Sequence, residues 1–438
     1  MSLNNMVGWI AGATSVMVAG TAFASTTPAD NDARIASLEA QLQALKAEQQ
    51  SNWLNMNSEE LLALQQEVLV DSQTQTSLLS TGVGAGWDKG FYLSSDDGAF
   101  KLKIGGQAQF RFVWNNRDDA PDQDGDVAGF EMRRTKLIFS GTMWEELAFK
   151  VNGAFDRGGG EFILEDAYGH WDLGNGWGVL FGQFKAPVTR EELISSSKQQ
   201  AVDRSWVNEY TNGDRTQGLA LTYENDTETM RAWLSFNDGA RTANTGFSPD
   251  ATEWAFTARV EGLLAGENGF KQFDDLPSFR DDEFGWLLGG ALHWQDEAYG
   301  TTDDETETLT WTVDTQAEFG GANIFAYVVG VSGESNDGTV DFDEYGFVLQ
   351  GGFFFTDDLE AFGRWEWYDF DANTGLDEYS AITVGVNWYN HGHAWKWQND
   401  VTFSMDPVPA RNTGIGLLAD TGNNDGQIAF RSQMQFTF

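Results

Sequence analysis

The chain has 438 residues, no cysteine and a formal net charge of −41, with 67 acidic against 26 basic side chains. Disulfides, thiolate metal sites and a cysteine nucleophile are excluded, and so acidic a surface would repel nucleic-acid phosphates. Beyond the N-terminal stretch nothing approaches the roughly 18 consecutive apolar residues of a membrane-spanning helix, although 41% of the residues are hydrophobic.

In chain order, residues 1–24 read MSLNNMVGWIAGATSVMVAGTAFA, an apolar, small-residue run ending on Ala22-Phe23-Ala24. That small-x-small ending predicts a cleaved signal peptide and export, although no Lys or Arg precedes the run; a buried N-terminal helix is the alternative. Residues 25–71 have a helical texture. Ile35, Leu38, Leu42 and Leu45 follow 3-4-3 spacing, and Leu54, Leu61, Leu64 and Val68 continue it in a shifted register. The expectation is a periplasmic helical or coiled-coil segment, with a surface helix packed on its own domain as the competing reading. A Ser/Thr/Gly-rich linker is expected over 72–89.

From residue 90 the period changes to two. In FKLKIGGQAQFRFVW, Phe100, Leu102, Ile104, Ala108, Phe110, Phe112 and Trp114 alternate with Lys101, Lys103, Gln107, Gln109 and Arg111. A strand shows alternate residues to opposite faces, so one face is apolar and the other polar and partly charged. About 16 such segments follow, starting near 98, 130, 146, 162, 177, 214, 228, 250, 284, 307, 321, 343, 358, 377, 393 and 427. Short connections (GNG at 174–176, FGGAN at 319–323) alternate with long polar ones such as DPVPARNTGIGLLADTGNNDG. Residues 262–283 are the exception, too long for a short-turn position.

Short turns on one side and long loops on the other predict a transmembrane β-barrel. A soluble sandwich or propeller also alternates, but would leave a charged face in bulk water on every strand. A closed barrel with a wet interior puts the aromatic and aliphatic face against lipid and leaves no unpaired edge. The expected fold is therefore all-β, a 16-stranded antiparallel transmembrane β-barrel over 90–438 with an N-terminal helical (coiled-coil) segment.

Several stretches carry a resemblance: FEMRRTKLIFSG (130–141), FGQFKAPVTREELISSS (181–197), AVDRS (201–205) and AITVGVNWYNHGHAWKWQNDV (381–401). Over roughly 87–438 the chain resembles the phosphate-selective porin O and P family of Gram-negative outer membranes. The resemblance implies a barrel, usually a homotrimer, embedded in outer-membrane lipid and lipopolysaccharide, that lets small anions cross passively without a cofactor. It also implies that Phe438 is the signal read by the barrel-assembly machinery.

Selectivity in a pore is set by charged side chains at close range. Lys185 ends a strand at Pro187, which cannot donate to a ladder, and the next strand begins near 214. This connection falls third on the long-loop side, and the resemblance to porins, in which that loop commonly folds into the barrel, implies that 186–213 folds inward, making Lys185, Arg190, Glu191, Glu192, Lys198 and Arg204 the candidate pore constriction. Lys101, Lys103, Arg111, Arg134, Lys136, Lys150 and Arg259 are the candidate basic lumen wall. Against anion preference, residues 281–438 hold only Arg364, Lys396, Arg411 and Arg431 as basic residues, against 28 acidic ones. An acidic vestibule repels anions over a Debye length of about 8 Å at 0.15 M salt. A cation-leaning general porin is thus the alternative, and natural solute and ion sign stay open at this stage.

Other groupings carry less. Asp119, Asp122, Asp124 and Asp126 form an acidic loop without the bidentate Glu of a calcium-binding EF-hand. His391 and His393 sit at i, i+2 in a short turn, a weak metal signal. Asp166 and His170 share a strand face, which is the one opening for a barrel enzyme, but nothing singles out a nucleophile. No metal site and no catalytic residue is expected. A tether from the outer membrane to the cell wall through the helical segment is a further reading, compatible with a pore.

Overall fold

The structure, a computed structural model, describes residues 37, 39–44, 46, 83–88, 90–117, 125–247, 254–298, 305–335, 338, 341–371, 377–409, 414–419 and 426–438. The expected signal peptide, most of the 25–71 segment, Asp119, Asp122, Asp124 and Arg411 lie outside the described residues. Within the first unit, Ser37, residues 39–44 and Lys46 are helical, and Leu42 is exposed.

In the second unit, eighteen strands are present among the described residues. Two are short, β1 (Val83–Trp87) and β2 (Phe91–Ser95). The wall continues through β3 (Phe100–Arg117), β4 (Asp126–Met143), β5 (Leu147–Phe155), β6 (Phe162–Gly174), β7 (Trp177–Lys185) and β8 (Arg215–Glu224). Next come β9 (Met230–Asn237), β10 (Trp254–Ala265), β11 (Gly285–Ala298), β12 (Glu305–Glu318) and β13 (Ala322–Ser335). Last are β14 (Asp341–Phe354), β15 (Leu359–Asp369), β16 (Glu378–His393), β17 (Trp395–Ser404) and β18 (Gln427–Thr437). From β3 onward each strand pairs antiparallel with the next, and β18 pairs back onto β3, closing a 16-strand barrel. Closure removes the unpaired edges that hydrocarbon would not tolerate.

The expected alternation is realised. Phe110, Leu234, Val260, Leu292, Val328 and Met434 are exposed on the outer face, whereas Gln433, Gln435, Thr383 and Gln316 are buried on the inner one. β18 covers β3 only from Gln107 to Arg117, and β2 takes up Lys101–Ile104. At the joint, Phe438 exchanges backbone hydrogen bonds with Gly106 (2.9 and 3.1 Å). A Cβ on Gly106 would lie 2.6 Å from the tip of the Phe438 ring, so glycine lets the ring lie this close to the strand. β1 falls inside the stretch expected as linker: its glycines and Ala85 weaken the period-two signal, and its pairing with β2 supplies the strand.

The overlong segment before β11 also has an account. Residues 269–274 form a 3₁₀ helix, and Phe270, Phe273 and Leu276 are buried inside the barrel. Leu276 N donates to Lys198 O (3.2 Å), so the segment folds inward and meets the loop that follows β7.

Inward-facing positions are not uniformly polar. Phe325, Tyr327 and Val329 of β13, Val348 of β14, Tyr368 of β15, and Tyr379 and Ala381 of β16 join one buried apolar cluster. Ala429 of β18 also joins it, and the other members come from connecting segments: Ile194, Trp206 and Val207 after β7, Leu276 before β11, Phe370 after β15, and Val408, Ile415 and Leu417 before β18. The barrel therefore has a dry side, against β13–β16, to which three inward-folded segments each contribute residues.

Candidate functional site

The segment 186–213 crosses the barrel interior. Pro187 ends the β7 ladder, and two short helices follow, α1 (Arg190–Leu193) and α2 (Trp206–Thr211). Ser205 caps α2, its hydroxyl accepting from Asn208 N (3.0 Å) while donating to Glu191 (2.5 Å). Glu191 also accepts from Ser205 N (2.8 Å), so the two helices are locked together through one buried carboxylate.

Gln200 anchors the segment to the dry side. Its amide donates to Asn323 (2.9 Å) and to Glu360 and accepts from Gln350 (2.8 Å), and its carbonyl accepts from Asn387 (2.8 Å) and Gln398 (2.9 Å). Lys396 donates to Gln199 O (2.7 Å), and Val202 N donates to Asp400 (2.9 Å). Five adjacent strands thus hold one glutamine and its neighbours. This satisfies polar groups that would be costly to bury unpaired.

On the opposite side the anchor is Asp203. Arg134 (2.9 Å), Arg133 (3.1 Å) and Arg111 all pair with its fully buried carboxylate. Burial alone would raise the Asp203 carboxyl, but Arg133, Arg134 and Arg111 hold it well below the ordinary carboxylate range. Glu192 is also held below that range: burial works to raise it, and Arg204 and Lys185 outweigh burial.

Two β-bulges place charges on the passage between this segment and β4–β8. Gln109 pairs with Arg134 and Phe110 with Met132, so Arg133 is an extra residue in β4 and both arginines turn inward. Asn152 pairs with Asp166 and Gly153 with Leu164, which makes Glu165 the extra residue of β6. Glu165 and Asp166 then meet three cations: Lys136–Glu165 is 2.5 Å, Lys150–Asp166 2.7 Å, and Arg215 lies 3.3 Å and 3.0 Å from the two. Across from them Lys185 and Arg204 share Glu192 at 3.1 and 3.3 Å.

Of the residues singled out from sequence, Lys185, Glu192, Arg204, Arg134, Lys136 and Lys150 are brought together around this passage. Arg190 and Glu191 are buried away from this passage, and Arg190 donates to Glu261 of β10 (2.9 Å), Gln316 of β12 (3.1 Å) and Phe273 O. Arg259 is likewise fully buried, bonded to Glu261 (2.7 Å) and Asp314 (2.8 Å) beneath Val188 O. Arg111 is buried under Asp203. Lys198 makes an open pair with Asp274 (3.6 Å). Lys101, 4.0 Å from Asp88, and Lys103 sit at the short-turn rim beside the β1–β2 hairpin.

Arg133, Glu165, Asp203, Glu209 and Arg215 belong to the site and escaped the sequence reading. Strict alternation sends one member of each adjacent pair, Arg133-Arg134 and Glu165-Asp166, into lipid, where a charge is expensive. The doublets were therefore the readable sign of bulges. Asp166 and His170 form no dyad: Asp166 is held by Lys150 and Arg215, and His170 bonds Thr222 (2.8 Å). His393 bonds Asp275 (2.8 Å), while the His391 ring lies against Trp395, so they do not converge on a metal.

Comparison with known proteins gives a consistent fold. Residues 103–265 match the family model described as phosphate-selective porin O and P. No curated protein matches the sequence. The barrel is similar to an anion-selective porin from Comamonas acidovorans (15% identity, TM-score 0.57, covering 77% of this chain and 100% of that one). It is also similar to the outer membrane channel DcaP of Acinetobacter baumannii (13%, 0.54, 78% and 99%). OmpF of Salmonella typhi, solved with daunomycin, is a third (13%, 0.53, 81% and 100%).

Proposed function

From that family match and the charged half of the lumen, we propose that the chain is an outer-membrane porin for passive diffusion of small hydrophilic solutes. The observation that carries this reading is the division of the interior. Residues of three loops join the apolar cluster against β13–β16, and the side against β4–β8 keeps ionised, hydrogen-bonding groups. Segment 186–213 is the constriction, with Lys185, Glu192 and Arg204 on its passage side. Solutes move down their gradient, with no turnover and no cofactor. Exported homotrimers in contact with lipopolysaccharide complete the proposal.

Arg133, Arg134, Lys136, Lys150, Lys185, Arg204 and Arg215 outnumber Glu165, Asp166, Glu192, Asp203 and Glu209 along the passage. A local excess of positive charge decides ion sign at short range, where the acidic remainder of the chain is screened. Anions, phosphate among them, are favoured on this ground. The test is single-channel recording in planar bilayers with asymmetric KCl. Discrete steps with a reversal potential directed toward chloride are expected. Absence of steps contradicts the channel, and a cation-directed potential contradicts the anion preference alone.

A further inference from the structure

The inner face of β3 and β4 changes character on the long-loop side of Asp203. Arg111, Val113 and Asn115 share one face of β3, and their partners in β4 are Glu131, Gly129 and Val127. Arg111 reaches the buried Asp203 from that face, so the face looks into the lumen. Segment 414–419, part of the connection before β18, lies over it. Asn115 donates to Gly416 O (3.1 Å), Arg111 to Gly414 O, and Arg431 to Ile415 O (2.6 Å). The seam is not filled. A cleft of about 260 Å³ remains, walled by Val113, Val127, Gly129, Leu417 and Leu418. Gly129 marks the opening, since a Cβ there would meet no atom within 4 Å.

Arg157 stands on the edge of the same cleft. Its Nη1 donates to Glu131 (3.1 Å), and its guanidinium lies against Gly414, where a Cβ would strike it. Its Nε and Nη2 make no hydrogen bond among the described residues, and the side chain is 37% exposed. Glu131 is shared with Arg111 (2.6 Å). Asp203 and Glu131 therefore answer four arginines, Arg111, Arg133, Arg134 and Arg157, and this linked network keeps two positive charges in excess. An apolar cleft beside an arginine with open donors suits a solute that carries one anionic group on an apolar body. We propose that the cleft is a binding site for small carboxylates of this kind, with benzoate as the simplest example. The carboxylate accepts from Arg157 Nε and Nη2, whose fork matches its two oxygens. The ring lies between Val113 and Val127 on one side and Leu417 and Leu418 on the other, and gains in proportion to the apolar area removed from water. A bare anion gains only at Arg157. The cleft is nearer the long-loop end of β4 than Arg134 and Lys136, so solutes entering from that end meet it first. This inference rests on the porin reading and names a solute class for the same lumen.

The test is block of the chloride current through the full-length protein in planar bilayers, with benzoate or acetate added to symmetric KCl. Benzoate is expected to halve the current at a concentration about tenfold below that of acetate. Gly129→Leu fills the cleft and should bring the two concentrations within about twofold of each other. Arg157→Gln should raise both about fivefold, the worth of one partly exposed charge pair, with benzoate still ahead. Equal block by the two anions in the natural protein overturns the site while its conductance steps keep the channel. A tenfold preference that survives Gly129→Leu also overturns the site. So does benzoate block that is unmoved in Arg157→Gln, which carries the test if Gly129→Leu does not insert. No conductance by the natural protein overturns the channel reading and the site together.

Discussion

Replacing Asp203 by Asn is expected to cost about 3–5 kcal/mol locally, because it strips a buried carboxylate from three arginines and leaves their charge uncompensated. Asp203 is fully buried, and Arg111, Arg133 and Arg134 converge on it from adjacent strands. The asparagine keeps the shape but not the charge. Segment 186–213 should then lose its hold on β3 and β4 while Gln200 still ties it to the other wall. Two readouts follow. Amide hydrogen exchange over 199–206 should quicken about 100-fold or more, since it tracks the local opening free energy. The reversal potential should move toward anions, since one negative charge has left the passage. The pH dependence has a definite sign. The Asp203 carboxyl is held below its ordinary value, so its contribution is complete above the unfolded pKa of about 3.9 and is lost only as pH falls through the lowered value. Exchange in this segment should therefore stay slow from neutral pH down through pH 4 in the natural protein.

Truncating Trp206 to Ala should have an effect of similar size by a different route. Trp206 is buried among Tyr379 (centroids 4.6 Å apart), Tyr210 (4.8 Å), Phe370 (5.7 Å) and Tyr368 (5.9 Å). Removing a fully buried tryptophan leaves a cavity and costs about 3–5 kcal/mol. The cavity opens in the packed half of the lumen, so a rise in conductance should accompany a lower urea midpoint for unfolding from lipid. The indole N–H has no partner among the described residues, so Trp206→Phe retains most of the packing without stranding a polar group. It should lose well under half as much. Equal losses for Ala and Phe would mean that the ring is not held by packing.

Much of this barrel is legible in the sequence. The expected strand starts fall close to the observed ones, because lipid outside and water inside enforce a two-residue period that the chain displays openly. Three features resist such reading, each for a physical reason. The bulges in β4 and β6 insert one residue each, and alternation cannot represent an insertion except through a charge that lands on the lipid face. Arg133 and Glu165 were those charges. The dry side is hidden because inward apolar residues need a partner, and Trp206, Ile415 and Leu417 reach it from distant loops. The run Ile324, Phe325, Ala326, Tyr327, Val328, Val329 was its trace, apolar on both faces as in a strand covered on both sides. Arg190 and Glu191 matched the constriction, and Arg259 the basic lumen wall, in composition and position, but charge alone does not separate a passage-lining group from a buried one. Burial on the Glu261, Asp314 and Ser205 network does.

Solutes are expected to travel along the β4–β8 side and not the β13–β16 side. The natural chain has no cysteine, so single cysteines report without background. Lys150→Cys lies on the wetter wall, its lysine about a third exposed, whereas Val348→Cys lies within the packed cluster. In planar bilayers, a water-soluble cationic thiosulfonate should modify Cys at 150 within seconds and step the current, and leave the channel with Cys at 348 unchanged. Equal reactivity at both positions, or a current that responds only at 348, would contradict a lumen divided in this way.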